Sequence, residues 1–244
     1  MFRLLSSGGL VDTAGGRVDS LMMILLHWAR VPASLPAHVA ATWLARLPEQ
    51  RSASLAREIN AGRGLESLTG LALLDRCAQY LPLPPLSSLV RSPEGKLRWA
   101  DGPDFNIAHA AGHAVCAVAP PGVAIGVDLE SADAVNPQSL RLVTSASEVA
   151  QINAGSLSAT ALWTCKEAVL KAAGTGVAAA GEVEIKGAVG HHAGREYHLM
   201  RVDLDRNLML TIATSVLVSG SRVVQAAATA LFDVSPSGSR RSSA

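Results

Sequence analysis

Residues 163–176, WTCKEAVLKAAGTG, carry acidic and basic side chains at the spacing of an amphipathic helix. Glu167 and Lys171 are four positions apart, so at about 100° per residue they share one face. The apolar stripe of the opposite face consists of Leu162, Cys165, Val169 and Ala172. Ser158 is placed to cap the start of this helix, and Gly174 to end it. An isolated pair of this kind is commonly a surface ion pair that adds only about 0.2–0.5 kcal/mol.

A second acidic site lies upstream at residues 126–130, GVDLE. The alternation of apolar and polar residues predicts a strand with Asp128 and Glu130 on one face, about 6.6–6.8 Å apart. If Glu167 approaches as a third oxygen donor, these carboxylates can converge on one hard cation. Proteins hold Mg²⁺ with few carboxylates together with substrate phosphates, so the set suits a diphosphate-containing substrate. The alternative is a solvated strand face that binds no metal.

The acidic strand and the acidic helix need a scaffold to position them. The hydrophobic spacing in the rest of the chain predicts that each half consists of helices followed by strands. Helical spacing is expected at residues 36–47 and from residue 49 to about residue 80. Strand-like composition is found at 105–119, 123–130, 183–186, 197–203, 208–218 and 223–232. His191 and His192 have no partners at zinc-ligand spacing and are interpreted as loop residues.

The composition indicates a soluble globular protein without a nucleic-acid partner. A hydrophobic fraction of 49% and a charged fraction of 17% in 244 residues are typical of a soluble globular chain. The net charge of +1 provides no basic field, so we expect no nucleic-acid partner. The three cysteines lack CxxC spacing, which indicates buried thiols in a reducing compartment, and no segment reads as a membrane span. A cytoplasmic location is therefore expected.

The two acidic motifs together resemble a known family. GVDLE followed by WTCKEAVLKAAGTG is similar to the Sfp-type 4′-phosphopantetheinyl transferases, in the branch whose helix motif reads W and then KEA. The likeness extends to PEGK at 93–96, FNIAHA at 105–110 and SLTG at 67–70, and so covers about residues 22–230. It implies transfer of phosphopantetheine from coenzyme A to a serine of an apo acyl or peptidyl carrier protein, with release of adenosine 3′,5′-bisphosphate.

The resemblance also implies a fold and a division of the chain. The fold class is α+β: two similar subdomains with antiparallel sheets, related by a pseudo-two-fold axis, with the active site between them. We expect an N-terminal subdomain at 21–122 and a C-terminal subdomain with the metal site at 123–234. Residues 1–20 are expected to be a flexible leader and residues 235–244 a disordered tail. Family members of this length imply a monomer.

Three roles at the signature helix follow from the resemblance. Glu167 matches a glutamate that serves as a metal ligand, together with Asp128 and Glu130, and as the general base toward the carrier serine. Lys171 is expected to face the diphosphate of coenzyme A. Lys166 receives a secondary catalytic role, with a packed snorkelling lysine as the alternative. The implied ion is Mg²⁺, for which Mn²⁺ is an expected substitute.

Coenzyme A contacts are implied for three further positions. His109 matches a histidine that contacts a phosphate of coenzyme A, and Lys96 matches a lysine near the diphosphate. Ala108 stands where the family usually has serine, so a hydroxyl contact is lost, although backbone N–H groups can still bind phosphate there. A leucine follows Lys96 where the family pattern has proline.

The largest departure from the family concerns the 3′-phosphate of coenzyme A. The family pattern offers an arginine four residues before the glycine of SLTG, and this chain has Glu66 there. Arg63 lies one helical turn earlier and Arg57 two turns before that, so either can present a guanidinium to the phosphate. We favour Arg63.

Two other functions use the same residues. A coenzyme A-binding relative that has lost transfer is compatible with Ala108 and Glu66. A metal-dependent phosphodiesterase or nuclease can use the same carboxylates, but it needs a basic track that the net charge of +1 does not provide. Transfer of phosphopantetheine is the preferred interpretation.

Overall fold

The computed structural model describes residues 23–232. The expected leader at 1–20 and tail at 235–244 lie outside the described residues. Within the described range, sheets that are antiparallel in all but one strand pair and packed helices form a mixed α+β fold, which confirms the predicted fold class. Among residues 23–232, none of the helices combines the length and apolar character that a bilayer span requires.

The strands in chain order are β1 Met23–Arg30, β2 Leu89–Arg91, β3 Leu97–Trp99, β4 Phe105–Ala110, β5 His113–Val118, β6 Ile125–Ser131, β7 Glu184–Lys186, β8 Val189–His192, β9 Arg195–Val202, β10 Leu208–Thr214 and β11 Gly220–Gln225. The helices are α1 Ala37–Leu44, α2 Glu49–Asn60, α3 Leu65–Cys77, α4 Ala146–Asn153, α5 Ala159–Ala173 and α6 Ala228–Leu231.

The first sheet has the order β11-β1-β5-β4. β1 has the sequence MILLHWAR, and its six central residues are buried, as expected for a strand that is covered on both faces. α3 packs against β1 and β5 across one face of this sheet. Gly70 of α3 lies against Ile107 of β4, where a Cβ would overlap the isoleucine side chain. This glycine therefore sets how closely the helix approaches the sheet.

Three helices precede the first sheet hairpin, where the sequence predicted two. The predicted helix from residue 49 to about residue 80 is interrupted after Asn60, and α3 begins at Leu65. Gly62 and Gly64 have φ values of 73° and 101°, a left-handed backbone that glycine adopts without strain. These two glycines end α2 and redirect the chain.

The second sheet has the order β6-β10-β9-β8-β7, and α5 packs across it. Ser158 caps α5 by accepting a hydrogen bond from the Ala161 amide, and the helix ends at Gly174, whose φ is 75°. Both predicted helix ends are confirmed. Gly126 of β6 lies directly against the backbone of α5, where a Cβ would overlap the carbonyl oxygen of Ala168. The glycine of GVDLE thus permits close contact between the acidic strand and the acidic helix.

An apolar core lies between the two sheets and joins them. It combines side chains of β1 and β5 with those of β6 and β10, and includes Leu26, Val115, Val127 and Ile212. Polar side chains of β4 add hydrogen bonds at this junction: Asn106 Oδ1 accepts from the Val127 amide at 2.9 Å. The two halves therefore pack through both apolar and hydrogen-bonded contacts.

The structure corrects three secondary-structure predictions. The strand predicted at 105–119 is two strands, because Ala111 and Gly112 adopt positive φ values of 50° and 70° and form a tight turn. His191 and His192 lie in β8, not in a loop. The sequence does not indicate this strand because it is only four residues long and forms by pairing with β9. The strand predicted at 223–232 ends at Gln225, and the short helix α6 follows.

The last strand returns to the first sheet. β11 pairs with β1 in parallel, from Met23 opposite Gly220 to Trp28 opposite Gln225. Behind it, Phe232 packs edge-on against Trp43 of α1, with ring centroids 5.7 Å apart. The C-terminal part of the described chain therefore completes the N-terminal half of the fold.

Candidate active site

Two carboxylates and one ammonium group meet where β6 and α5 are in contact. Lys171 Nζ lies 2.6 Å from Asp128 Oδ1 and 3.7 Å from Glu167 Oε2. Asp128 is only 5% exposed and Glu167 8%, so both carboxylates are largely removed from water. Because Glu167 and Lys171 are one helical turn apart, the same face of α5 presents both groups to Asp128.

Burial and mutual repulsion change the acidity of the strand carboxylates. Burial raises the pKa of Asp128 to about 7, Lys171 opposes the rise, and the charges of Glu167 and Glu130 add to it. The pKa of Glu130 is also raised, by burial first, with Lys171 opposing and Glu167 adding. The field at this site is thus incompletely balanced by one lysine and favours additional positive charge.

The donor chemistry of the site fits a hard cation. Asp128 Oδ2 is buried without a hydrogen-bond partner, although a buried carboxylate oxygen is normally paired. Oxygen donors of this kind are those that Mg²⁺ prefers. Across residues 23–232, however, no group of three His, Cys, Asp or Glu side chains has the arrangement of a metal site. The Lys171 ammonium instead pairs with both Asp128 and Glu167.

A cavity of about 250 Å³ lies beside this cluster, between the two halves of the molecule. Its walls are the β2–β3 turn, β4 and the C-terminal end of α5, which contribute Lys96, Asn106 and Lys171. Two ammonium groups therefore border the cavity from opposite halves. Both lysines are ion-paired, Lys96 with Asp104 and Lys171 with Asp128, and Glu94 lines the same cavity, so the cavity presents charges of both signs.

Lys96 is held in place by the junction of the halves. Its Nζ lies 2.7 Å from Asp104 Oδ2 and donates to the Ile125 carbonyl oxygen at 2.9 Å. The other contacts of Asp104 fix the turn around it: Oδ2 accepts from the Ile125 amide and Oδ1 from the Phe105 amide. Asp104 was not identified from the sequence, since its partner amide on β6 is 21 residues away.

His109 of β4 is in contact with an acidic side chain. Its Nδ1 lies 3.2 Å from Glu66 Oε2 of α3, and both side chains are about half exposed. Ala108, its neighbour, is 5% exposed and packs into the core between the sheets. The position that departs most from the family pattern, Glu66, is thus in contact with the histidine expected to bind phosphate.

Arg57 and Arg63 are both exposed, near the connection between α2 and α3. Among the contacts described for residues 23–232, none links either guanidinium group to His109 or to the cavity between the halves. Their assignment to the 3′-phosphate of coenzyme A stays a prediction.

Lys166 lies away from this cavity. Its side chain is 1% exposed, its Nζ is 3.0 Å from Glu148 Oε1 of α4, and it also donates to the Val183 carbonyl oxygen. Glu148 is itself fully buried, accepts from the Ile185 amide at 2.9 Å, and forms a capping box with Ser145. Sequence reasoning did not single out Glu148, although a serine followed three residues later by glutamate is a capping-box signature.

The comparisons with known proteins concern the half of the molecule that contains these carboxylates. Residues 124–215 match the family model of the 4′-phosphopantetheinyl transferase superfamily. The matched segment is less than half of the chain and includes β6, α5 and the rest of the second sheet. No curated protein matches the chain. Over the segment that carries Asp128, Glu167 and Lys171, the chain is similar to the 4′-phosphopantetheinyl transferase superfamily, and this likeness supports phosphopantetheine transfer in general.

Proposed function

We propose that this protein transfers 4′-phosphopantetheine from coenzyme A to a serine of an apo acyl or peptidyl carrier protein, in an Mg²⁺-dependent reaction that releases adenosine 3′,5′-bisphosphate. The observation that carries the proposal is the cluster of Asp128, Glu167 and Lys171, which lies inside the segment that matches the transferase family and beside the cavity that Lys96 and Lys171 border. Holo-carrier-protein synthase is therefore the activity to test.

Asp128, Glu130 and Glu167 are the residues that would hold Mg²⁺, with Mn²⁺ as a substitute. The unpaired Asp128 Oδ2 and the mutual repulsion of the carboxylates support this assignment. A bound divalent cation would supply positive charge to the diphosphate and keep the surrounding carboxylates ionised.

The chain's own residues supply the remaining chemistry. Glu167 accepts the proton of the carrier serine as its Oγ attacks the phosphorus that bears the pantetheine arm. The bond from that phosphorus to the bridging oxygen of the diphosphate breaks, and the electron pair leaves with adenosine 3′,5′-bisphosphate. Lys171 offsets the negative charge that develops on this leaving group.

Binding of coenzyme A uses groups from both halves. Lys96 and Lys171 border the cavity and are assigned to the diphosphate. His109, with backbone groups near Ala108, is assigned to a phosphate, and Arg63, with Arg57 as the alternative, to the 3′-phosphate. The division at residues 122 and 123, a monomeric state and a cytoplasmic location belong to the same proposal.

The alternative is a coenzyme A-binding relative that has lost transfer. The contact between Glu66 and His109 favours it, because a carboxylate beside the histidine opposes phosphate binding. A metal-dependent phosphodiesterase needs a basic track for its substrate, and the net charge of +1 does not favour one.

Intact-mass analysis of carrier proteins tests the proposal. Several apo carriers are incubated with the protein, coenzyme A and Mg²⁺, and a transferase of known activity modifies the same carriers in parallel. We expect at least one carrier to gain the mass of phosphopantetheine, and the gain to disappear when a chelator removes Mg²⁺. If coenzyme A binds but no carrier gains mass while the known transferase modifies all of them, the protein is a binding relative without transfer.

A further inference from the structure

The wall of the cavity includes a hydroxyl group that the proposed mechanism does not use. Thr175 follows Gly174 at the end of α5 and lines the cavity together with Lys171. Its amide donates to the Leu170 carbonyl oxygen at 2.9 Å, which closes the helix end. The backbone of Thr175 is therefore fixed by the helix cap, and its exposed side chain stands at the cavity.

A buried histidine lies behind this hydroxyl. His192 of β8 is only 4% exposed, and its Nε2 is 3.3 Å from Thr175 Oγ1. Its Nδ1 is buried and has no hydrogen-bond partner. A buried N–H without an acceptor is rare in proteins, so the neutral ring is better satisfied with its proton on Nε2 than on Nδ1.

This tautomer determines what the hydroxyl can do. The His192 Nε2–H donates to Thr175 Oγ1, and the hydroxyl hydrogen then points to another acceptor. The other described partner of this oxygen is the Leu170 carbonyl, at a long 3.5 Å. This bond is at the limit of hydrogen-bond length, so a ligand oxygen in the cavity can replace the Leu170 carbonyl as the acceptor. Lys171 lines the same cavity wall.

We propose that Thr175, oriented by His192, donates a hydrogen bond to a phosphoryl oxygen of the ligand in this cavity. The ligand class follows from the proposed function. Lys96 and Lys171 line the cavity beside Glu94 and are assigned to the diphosphate, and Thr175 adds a neutral donor. The inference rests on the proposed function and extends it: Thr175 is a diphosphate-contacting residue, and His192 is a positioning residue that acts through it.

Two substitutions at Thr175 test the contact. Thr175→Val keeps the size of the side chain and removes the hydroxyl, while Thr175→Ser keeps the hydroxyl. Calorimetry with coenzyme A, without carrier protein, measures the binding. Thr175→Val is expected to bind roughly 10-fold to 100-fold more weakly, because this is the loss typical of a hydrogen bond to a charged group. Thr175→Ser is expected to bind with near-parental affinity. Val177→Ala is the control, because Val177 is exposed two residues further on and does not line the cavity.

A double-mutant cycle tests the role of His192. His192→Phe removes the donor to Thr175 and is expected to weaken coenzyme A binding in the parent protein but to have no further effect in the Thr175→Val background. His192→Gln, which retains a side-chain N–H donor, is expected to restore part of the affinity. If His192→Phe weakens binding equally in both backgrounds, the histidine does not act through Thr175.

The binding measurement separates this inference from the proposed function. The phosphoryl contact is supported if the parent protein binds coenzyme A and Thr175→Val binds it weakly, even if no carrier is modified. Equal affinities of Thr175→Val and the parent overturn the inference even if carriers are modified. A parent protein that does not bind coenzyme A overturns both.

Discussion

Glu167 is the residue on which the proposed chemistry depends most, because it can act on both the cation and the serine proton. It is 8% exposed, and Lys171 is its nearest charged partner at 3.7 Å. The neighbouring Asp128 has its pKa raised to about 7 by burial first, and the charges of Glu167 and Glu130 add to this rise while Lys171 opposes it.

Glu167→Gln is expected to lower the rate of carrier modification by about 10²–10⁴-fold, the usual cost of removing a positioned general base. The fold should remain, since glutamine has nearly the same shape and repulsion from Asp128 is removed. Intact-mass kinetics and thermal melting measure the two effects. Glu182→Gln, at an exposed position, is the control. A Glu167→Gln variant with a near-parental rate would remove Glu167 from the mechanism.

The residues around His109 decide whether the 3′-phosphate of coenzyme A is bound. Because the Glu66 carboxylate lies beside His109, it opposes the approach of a phosphate, and Arg63 must supply the positive charge if the 3′-phosphate is bound. Arg63→Ala is expected to weaken coenzyme A about 10-fold or more, the value of one charge-assisted hydrogen bond, and dephospho-coenzyme A much less.

Calorimetry with both ligands makes this comparison. Arg57→Ala tests the alternative residue in the same way, and Arg141→Ala, at an exposed position in the other half, is the control. Equal weakening of both ligands in Arg63→Ala would show that Arg63 does not contact the 3′-phosphate. Equal binding of both ligands by the parent protein would show that the chain lacks this subsite, as Glu66 suggests.

At the scale of elements, a buried ion pair holds α4, α5 and the start of β7 together. Lys166 and Glu148 are 1% and 0% exposed, and the Ile185 amide and the Val183 carbonyl complete the network. Lys166 adjoins Glu167 in sequence but faces another part of the molecule. In this arrangement, Lys166 fixes the helix that presents Glu167.

Lys166→Met is expected to destabilise the protein by about 3–5 kcal/mol, because it leaves the Glu148 carboxylate buried without a counter-charge. The double variant Lys166→Met with Glu148→Gln should recover much of this loss, since no uncompensated charge remains and the glutamine carbonyl can still accept from the Ile185 amide. Urea unfolding measures all three proteins. The control is Lys186→Met, which removes an exposed pair with Glu184 and should leave the urea midpoint nearly unchanged. A single Lys166 variant as stable as the parent would contradict the pairing.

At the scale of the whole molecule, β1 lies at the centre of the first sheet and carries a buried histidine. The ring of His27 is 2% exposed, packs edge-on against Tyr80, and has no hydrogen-bond partner on either nitrogen. Burial lowers the pKa of His27 to about 4, and the charges of Arg222 and Arg76 add to this shift.

The lowered pKa predicts loss of stability in mild acid. The unfolded chain binds a proton at His27 below about pH 6.5, whereas the folded protein does so only near pH 4, so stability falls as the pH drops through this window. His27→Phe is expected to flatten the melting temperature between pH 6.5 and pH 4. Asp128 titrates near the same range, so the difference from the parent protein is the quantity to measure. His38→Gln, at an exposed position, should retain the parental profile.

Local signals in the sequence determined the acidic strand and the signature helix. The alternation around Asp128 and the helical spacing around Glu167 depend only on residues within a few positions, and Ser158 and Gly174 end the helix by contacts within one turn. These features were therefore predictable. The match of residues 124–215 to the transferase family lies over the same local motifs.

Only the tertiary structure decided which of the charged side chains meet. The pairing of Lys166 with Glu148 and the contact of His109 with Glu66 join residues far apart in sequence, so no local period reports them. The return of β11 to β1 likewise depends on burying both faces of the central strand, a requirement of the assembled sheet. Spacing along the chain indicates which face a side chain occupies, whereas its partner is set by the elements that pack against that face.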